Sequence, residues 1–391
     1  MLKVGMVSSI RPETNYTTYL VDALQKHYSG KLEVFAYCEK DPANKEVNLN
    51  NLRACWDRDW RYFFQVPLQA KKDRLDILHF QHEINMFGGP RTAVLFPFLV
   101  LLCRLLGFKP VVTVHAAVPI REFNTDFLKV FEWPRPEIMA PMVKIVFPTI
   151  YFLIGLFSKK IIVHSQGIKE LLVEDYLFNG GKIEVIAHGV PEDINYTRSS
   201  VNPSLLDKLG DKQFLLYFGY FHRRKGLEYL IRAFKYVSQK YPDLILVLGG
   251  GAVLPNYSKE MESLIRSLGL VNRIIITGFL LLTDLRYLLD KCQFVVLPAI
   301  YSIAASGPLA QVFAHEKAVI VSDLGVYREE ISDGVNGLLV RVGDAADLEN
   351  KMELLLGRED IKKRLSNNVA VIKNERAWSK IAGKTLEAYP K

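Results

Sequence analysis

Cysteine is scarce and scattered. Cys38, Cys55, Cys103 and Cys292 show no CxxC spacing, which argues against a zinc ribbon or a disulfide framework and for reduced thiols in a reducing compartment. No block of consecutive like charges resembles a nucleic-acid tail. No low-complexity tract or short-period repeat is visible. The N-terminus, MLKVGMVSSI, has too short an apolar run for a signal peptide and no small-residue cleavage site, so a cytoplasmic location is expected. Three motif-like stretches also fall short. Gly249-Gly250-Gly251 lacks GxGxxG spacing and reads as a tight turn with close backbone approach to a ligand. Asp57-Arg58-Asp59 has the form that holds a metal on a nucleotide, but no strong strand precedes it, so it reads as a surface loop. Gly383-Lys384-Thr385 resembles the end of a P-loop, yet Trp378 stands where the first glycine is required.

What is present is the pattern of an α/β protein. A chain of 391 residues, 49% hydrophobic, favours two domains over one. Short apolar, β-branched runs at 4–8, 32–37, 75–80, 111–114, 161–163 and 183–186 alternate with helical spacing at 19–27, 93–106 and 138–157. This alternation predicts a parallel sheet with crossover helices. Thr17 or Thr18 is placed to cap the first helix. Residues 190–210, rich in Pro, Asn and Ser, read as a linker. The pattern then restarts, with strands at 214–218, 244–248, 274–277, 294–297 and 318–321, and with Thr283 placed to cap a helix over 284–289. Two such halves leave a cleft, a common ligand location.

Two loops carry candidate chemistry. Arg223-Arg224-Lys225-Gly226 follows a strand and opens a helix. Cations there oppose the helix dipole, which makes sense if a phosphate or diphosphate lies between; the alternative is a solvated charge cluster. Ser306-Gly307-Pro308 opens a second helix after a strand, and such an end is an anion site when its N–H groups face a crevice. The net charge of +8, most of it after Asn195, suits a phosphate-bearing ligand or an anionic membrane surface. His115 ends a strand and either donates to a sugar hydroxyl or is satisfied locally. Gln81-His82-Glu83 ends another and suits hydroxyl recognition or a carboxylate base, or anchors a loop. The span 138–157 is nearly apolar. It is either a buried crossover helix or an exposed face dipping into a membrane beside Lys159 and Lys160, with 93–106 adding to the patch.

Taken together, these residues resemble the family 4 retaining glycosyltransferases. The resemblance rests on Ala187-His188-Gly189-Val190, on Phe218-Gly219-Tyr220 running into Lys225-Gly226-Leu227, on the Asp333-Gly334-Val335-Asn336-Gly337 segment and on the late Trp378-Ser379. Gln81-His82-Glu83 with Phe87-Gly88-Gly89 resembles a bacterial and archaeal subgroup. The resemblance implies a GT-B fold of two facing Rossmann-like domains: 1–195 on the acceptor side, joined by a returning helix at 376–391, and 205–375 binding the donor. It implies transfer of a hexose from a nucleotide diphosphate sugar to a hydroxyl acceptor, a glycan or glycolipid, with retention and with neither metal nor cofactor. Arg223, Arg224, Lys225 and Gly226, with Ser306, Gly307, Pro308 and Gln311, would bind the donor. His115 would contact the transferred sugar, and Gln81, His82 and Glu83 would lie on the acceptor side. No nucleic-acid partner is implied. Many members carry two glutamates where this chain has Ile303 and Gln311, and the loop 12–16 lacks the usual paired glycines. A degenerate nucleotide-sugar-binding protein and an epimerase on the same fold are therefore the alternatives.

Overall fold

A computed structural model describes residues 1–10, 16–41, 47–84, 86–131, 133–251 and 255–391. The chain forms two compact units: Met1–Gly189 with Ile303–Gly307 and Arg376–Lys391, and Val190–Ser302 with Pro308–Glu375.

The first unit runs β1 (Leu2–Val7), α1 (Tyr16–Tyr28), β2 (Leu32–Glu39), β3 (Leu52–Trp56), α2 (Tyr62–Lys72), β4 (Ile77–His82), α3 (Pro90–Leu105), β5 (Lys109–Val114), α4 (Thr125–Val130), α5 (Pro136–Phe157), β6 (Lys160–Val163), α6 (Gln166–Glu174) and β7 (Ile183–Val185). Its strands form one parallel sheet in the order β3-β2-β1-β4-β5-β6-β7. The central strands are buried throughout their length, as parallel strands covered on both faces must be. The order reverses direction at β1 and β4, and the crevice at such a switch point is where open α/β sheets take ligands.

The second unit repeats the design with α7 (Pro203–Leu209), β8 (Phe214–Phe218), α8 (Leu227–Lys240), β9 (Ile245–Gly249), α9 (Pro255–Ser267), β10 (Ile274–Gly278), α10 (Leu282–Lys291), β11 (Val295–Leu297), α11 (Gly307–Ala314), β12 (Val319–Ser322), α12 (Gly325–Arg328), β13 (Leu338–Val340), α13 (Ala345–Gly357) and α14 (Glu359–Glu375). Its sheet order is β10-β9-β8-β11-β12-β13, again parallel, with the switch point at β8 and β11. Helix α8 shows why these segments are helical. Leu227, Leu230, Ile231, Phe234 and Val237 fall on one buried stripe.

The last helix, α15 (Trp378–Ala388), belongs to the first unit and packs on α1. Its Trp378 indole covers Gly189, where an added Cβ would lie 2.3 Å from the ring. That contact explains the glycine in the His-Gly-Val step. The Asp333–Gly337 segment is a turn: Asn336 accepts from Ser332 N and donates to Glu330 O, while Gly334 takes φ +73°.

Several sequence expectations need correction. A strand, β3, does precede Asp57, and α2 follows it; both were missed because β3 is only partly buried and its pattern is weak. Helix α1 starts at Tyr16, so Thr17 lies inside it, buried, donating to Ser8 Oγ at 2.8 Å. Leu281, not Thr283, precedes α10. The stretch 190–210 is no bare linker: it contains α7, and Val190, Val201, Leu205 and Leu209 join the second unit's core.

Candidate functional site

At the carboxyl edge of the first sheet, histidines cluster. His82 ends β4, His115 follows β5, His164 follows β6, and His188 lies just beyond β7. All four are buried or nearly so, as is His79 within β4. The ring of Tyr16 packs against His115 (4.7 Å), His164 (4.9 Å) and His188 (5.3 Å), and Trp378 closes over Tyr16 at 5.0 Å. Burial without a compensating acid disfavours the charged form. It lowers His79, His82 and His164 to about 3 and His188 to about 4, and holds His115 well below its ordinary value with help from His164 and His188.

The rings are joined into a chain. His164 Nδ1 lies 3.0 Å from Ile186 O, which only accepts, so that nitrogen carries the hydrogen. His164 Nε2 is then bare and accepts from His115 Nδ1 at 2.9 Å. His115 Nε2 lies 2.8 Å from Gln81 Oε1. The Gln81 amide nitrogen donates to Met6 Sδ at 2.9 Å and lies 3.3 Å from His79 Nε2. His79 Nε2 also meets Thr113 Oγ1 at 2.7 Å, and His79 Nδ1 lies 3.0 Å from the Tyr389 hydroxyl.

This geometry changes three expectations. His115 has both ring nitrogens engaged, so it is a link in a buried chain and cannot donate to a sugar hydroxyl without releasing a partner. Gln81 and His82 are consecutive strand residues and point to opposite faces of the sheet. Gln81 meets His79 and His115, whereas His82 packs on Phe96 of α3 and Tyr151 of α5. Only Glu83 of the three is exposed. The chain's other members, His79 and Tyr389, were missed; His79 sits mid-strand, where periodicity reports only burial. Pro12–Asn15 of the first loop lie outside the described residues, so only Tyr16 of that loop is placed.

The edge of the second sheet has different chemistry. Arg223–Lys225 form a single 3-10 turn capped by His222 Nδ1, which accepts from Arg224 N at 3.2 Å. Gly226 then opens α8 at φ +66°, and an added Cβ would lie 2.1 Å from Pro298 O. The turn is tied to the loop after β11, because Ile300 N and Tyr301 N both donate to Arg224 O. Gly219, at φ +134°, lies under Pro308, with its added Cβ 3.9 Å from Pro308 Cγ. Gly250 approaches Gly219 O so closely that a Cβ would lie 2.0 Å away. Within the triple-glycine turn, Gly250 makes a backbone-to-backbone contact, while Gly249 and Gly251 lie against the side chains of Leu280 and Phe279. The loops after β8, β9 and β11 thus converge at the switch point.

The three cations separate. Arg223 pairs with Glu260 of α9 at 2.6 Å, its guanidinium 5.5 Å from the Tyr257 ring centre. Arg224 and Lys225 stay together. Burial, and then the neighbouring Arg224, lower the Lys225 ammonium to about 8, and it has no ion pair or hydrogen bond among the described residues. A cation held beside a second cation without an acid is placed to receive an anion. Helix α11 begins at Gly307, and an added Cβ there meets nothing within 4 Å. Gln311 lies one turn on, half-buried. Ala304 bridges to Ala116 in antiparallel fashion within the first unit, and Ile303 packs on that unit's core. The position where the resemblance implies an acid is thus filled by an apolar anchor.

The decoys resolve locally. Asp57 binds Gln65 and Lys40, and Asp59 forms a two-toothed pair with Arg61. Thr385 donates to Ile381 O inside α15. Among the described residues, no group of three or more His, Cys, Asp or Glu is placed to hold a metal ion.

Comparisons with known proteins agree with the two-unit design. The family model of the group 1 glycosyl transferases matches residues 204–371, and that of Glycosyltransferase Family 4 matches residues 14–194. An uncharacterized glycosyltransferase of Methanocaldococcus jannaschii is 25% identical over 59% of this chain, and the match spans only 60% of that relative. The alpha-maltose-1-phosphate synthase of Mycolicibacterium smegmatis is 25% identical over 73% of this chain and 74% of its own. The crystal structure of HepE from Anabaena, in complex with UDP-glucose, superposes over the whole of both chains with a TM-score of 0.74 at 18% identity, which establishes the shared GT-B fold.

Proposed function

The chain belongs to the group 1 and family 4 glycosyltransferases, and on that premise we propose that it moves a hexose from a nucleoside diphosphate sugar to a hydroxyl acceptor with retention and without a metal. The observation that carries this reading is Lys225. It is a partly buried ammonium with no ion pair among the described residues, backed by Arg224 and followed by Gly226, which opens α8. A diphosphate is the ligand this arrangement lacks. In the reaction the acceptor oxygen bonds to the anomeric carbon as the bond from that carbon to the diphosphate breaks. The nucleoside diphosphate leaves with the bonding pair, and its oxygen takes the acceptor's proton on the same face. Lys225, Arg224 and the start of α11 stabilise the charge that develops on the leaving group, which is electrostatic catalysis. No protein nucleophile is needed. Uridine is the first base to test, since HepE was crystallised with UDP-glucose.

The apolar helix α5 favours an acceptor at the cytoplasmic face of a membrane. It joins two neighbouring parallel strands of one sheet, so it is a crossover helix, yet most of its most apolar stretch is not buried. Calorimetry with a panel of nucleotide sugars, followed by assay of donor hydrolysis and transfer, tests the proposal. Binding in the micromolar range with turnover supports it. Tight binding with no hydrolysis or transfer across a broad acceptor panel makes the chain a nucleotide-sugar-binding protein, the outcome that Ile303 and Gln311 would explain.

A further inference from the structure

Between α3 and α5, on the face of the first sheet that His82 shares, lies a slot of about 250 Å3. All but one of its lining residues are apolar; Val94, Trp133, Met142 and Val146 form its walls. The exception, Arg91, has no ion pair or hydrogen bond among the described residues. Ile84 lines the slot too, two residues past the end of β4 and directly after Glu83, so the slot reaches the carboxyl edge of the sheet. Outside it the surface continues apolar. Ile138 and Ile145 of α5 are each 70% exposed, Phe98 of α3 is exposed as well, and the wall residues Met142 and Val94 reach the same surface. Isolated exposed apolar residues need no explanation, but a contiguous patch marks an interaction site.

We propose that this slot holds the hydrocarbon tail of a lipid-linked acceptor. The assignment rests on the transferase reading and identifies the acceptor class for it. Three features select this occupant. Apart from Arg91 and the indole N–H of Trp133 the lining side chains are aliphatic, aromatic or thioether, so an apolar chain fills the slot with the fewest stranded polar atoms. Its volume takes on the order of eight methylene groups, each near the ~30 Å3 share of a water molecule. Arg91 is a cation suited to the phosphate that joins a lipid to a sugar, and the sheet edge beyond Ile84 is where the sugar end would lie. The exposed face of α5 lets the rest of the tail stay in the bilayer.

The probe is n-decyl β-D-glucoside below its micelle concentration, with a bromine on the chain terminus, and glucose as the chain-free control. Trp133 is in the slot wall, so bromine quenching reports entry, and the Trp133→Phe variant should remove most of the quench. Saturable one-to-one quenching is expected, with none from brominated vesicles lacking a free chain. Val146→Phe, which fills the slot, and Met142→Glu, at an exposed position that tolerates a charge, should each weaken it about tenfold. Absence of saturable binding, or equal binding by both variants, overturns the slot. Quenching by phosphatidylcholine–phosphatidylglycerol vesicles alone also overturns it, as that is surface contact. UDP-glucose calorimetry in parallel separates the two readings. If donor binding fails while the chain enters the slot, the transferase reading falls and the slot stands. If the donor binds and is hydrolysed while no chain enters, the slot falls.

Discussion

The two sheets share the same order over six strands, with one further strand in the first, and each has a switch point, yet one carboxyl edge is neutral and the other cationic. The first carries a row of neutral histidines sealed under Tyr16 and Trp378. The second carries Lys225 and Arg224 on a turn held against the backbone of Pro298, Ile300 and Tyr301. In the first, side chains link Ile186 to Tyr389 by hydrogen bonds, while among the described residues the Tyr16 hydroxyl, His82 Nδ1 and the Trp378 indole nitrogen are buried without a partner. In the second, the Lys225 ammonium has no ion pair or hydrogen bond among the described residues. A closed network costs little and holds strand ends in place; an open one stores affinity for whatever closes it. Fold alone thus says little about which half binds the charged substrate, and the partnering of the polar groups says more.

Acid breaks this contrast most severely. The unfolded chain binds a proton at each histidine near 6.5, whereas the folded rings bind theirs only near 3 or 4. The unfolded state therefore holds more protons between these limits, and stability falls as pH falls. It is intact above about pH 6.5. Below that, each such ring costs about 1.4 kcal/mol per pH unit. Four of them exceed a typical margin of ~5–15 kcal/mol within two to three units. The four tryptophans, Trp56, Trp60, Trp133 and Trp378, all lie in the first unit, so tryptophan emission follows that unit alone. Its red shift should come between about pH 5.5 and 4. Native emission at pH 3.5 would mean the rings are not held neutral.

At the second edge the next largest effect is on the backbone. Gly226→Ala should cost about 2–3 kcal/mol, since it places a side chain at positive φ and against Pro298 O. The loss should appear in a thermal melt of the second unit, with tryptophan emission unmoved at the same temperature. Lys225→Ala should leave the fold intact and lower donor affinity by about 1.5–3 kcal/mol, roughly 10- to 100-fold. Its pH dependence is a sharper measurement. Because the free ammonium titrates at about 8, affinity for UDP-glucose, whose diphosphate diester does not titrate in this range, should be flat below pH 7 and fall by up to tenfold per unit above 8. Lys225→Arg should abolish that fall. Unchanged affinity in Lys225→Ala would remove the diphosphate from this turn.

Strands and helices were legible wherever both faces of a strand are buried, as in β4, β5 and β8, or one helix stripe is, as in α8. The sequence was silent on β3, whose residues are mostly only partly buried, and on α13 and α14, which bury only three and two residues. The cations of the second edge could be read because a charge run before a glycine is visible in a string. The neutral chain of the first could not. It joins residues up to 310 positions apart, such as His79 and Tyr389, and pairing at that distance leaves no local trace. The division of Gln81 from His82 follows from the two-residue period of a strand, but only once β4 is known to extend to His82.

The smallest expected effect separates support from binding within the second edge. Glycines 226 and 307 both sit at helix starts, but for different reasons. A Cβ at Gly226 strikes backbone, whereas one at Gly307 meets open space. Gly307 has no positive φ to relieve, unlike Gly226. Gly307→Ala should therefore change stability by no more than about 0.5 kcal/mol, the usual range for a substitution that disturbs no contact. If the open space is where the donor sugar and diphosphate reach the start of α11, the added methyl should still weaken UDP-glucose binding several-fold. Equal affinity with equal stability would make Gly307 a spacer, and the anion site would then rest on Lys225 and Arg224 alone.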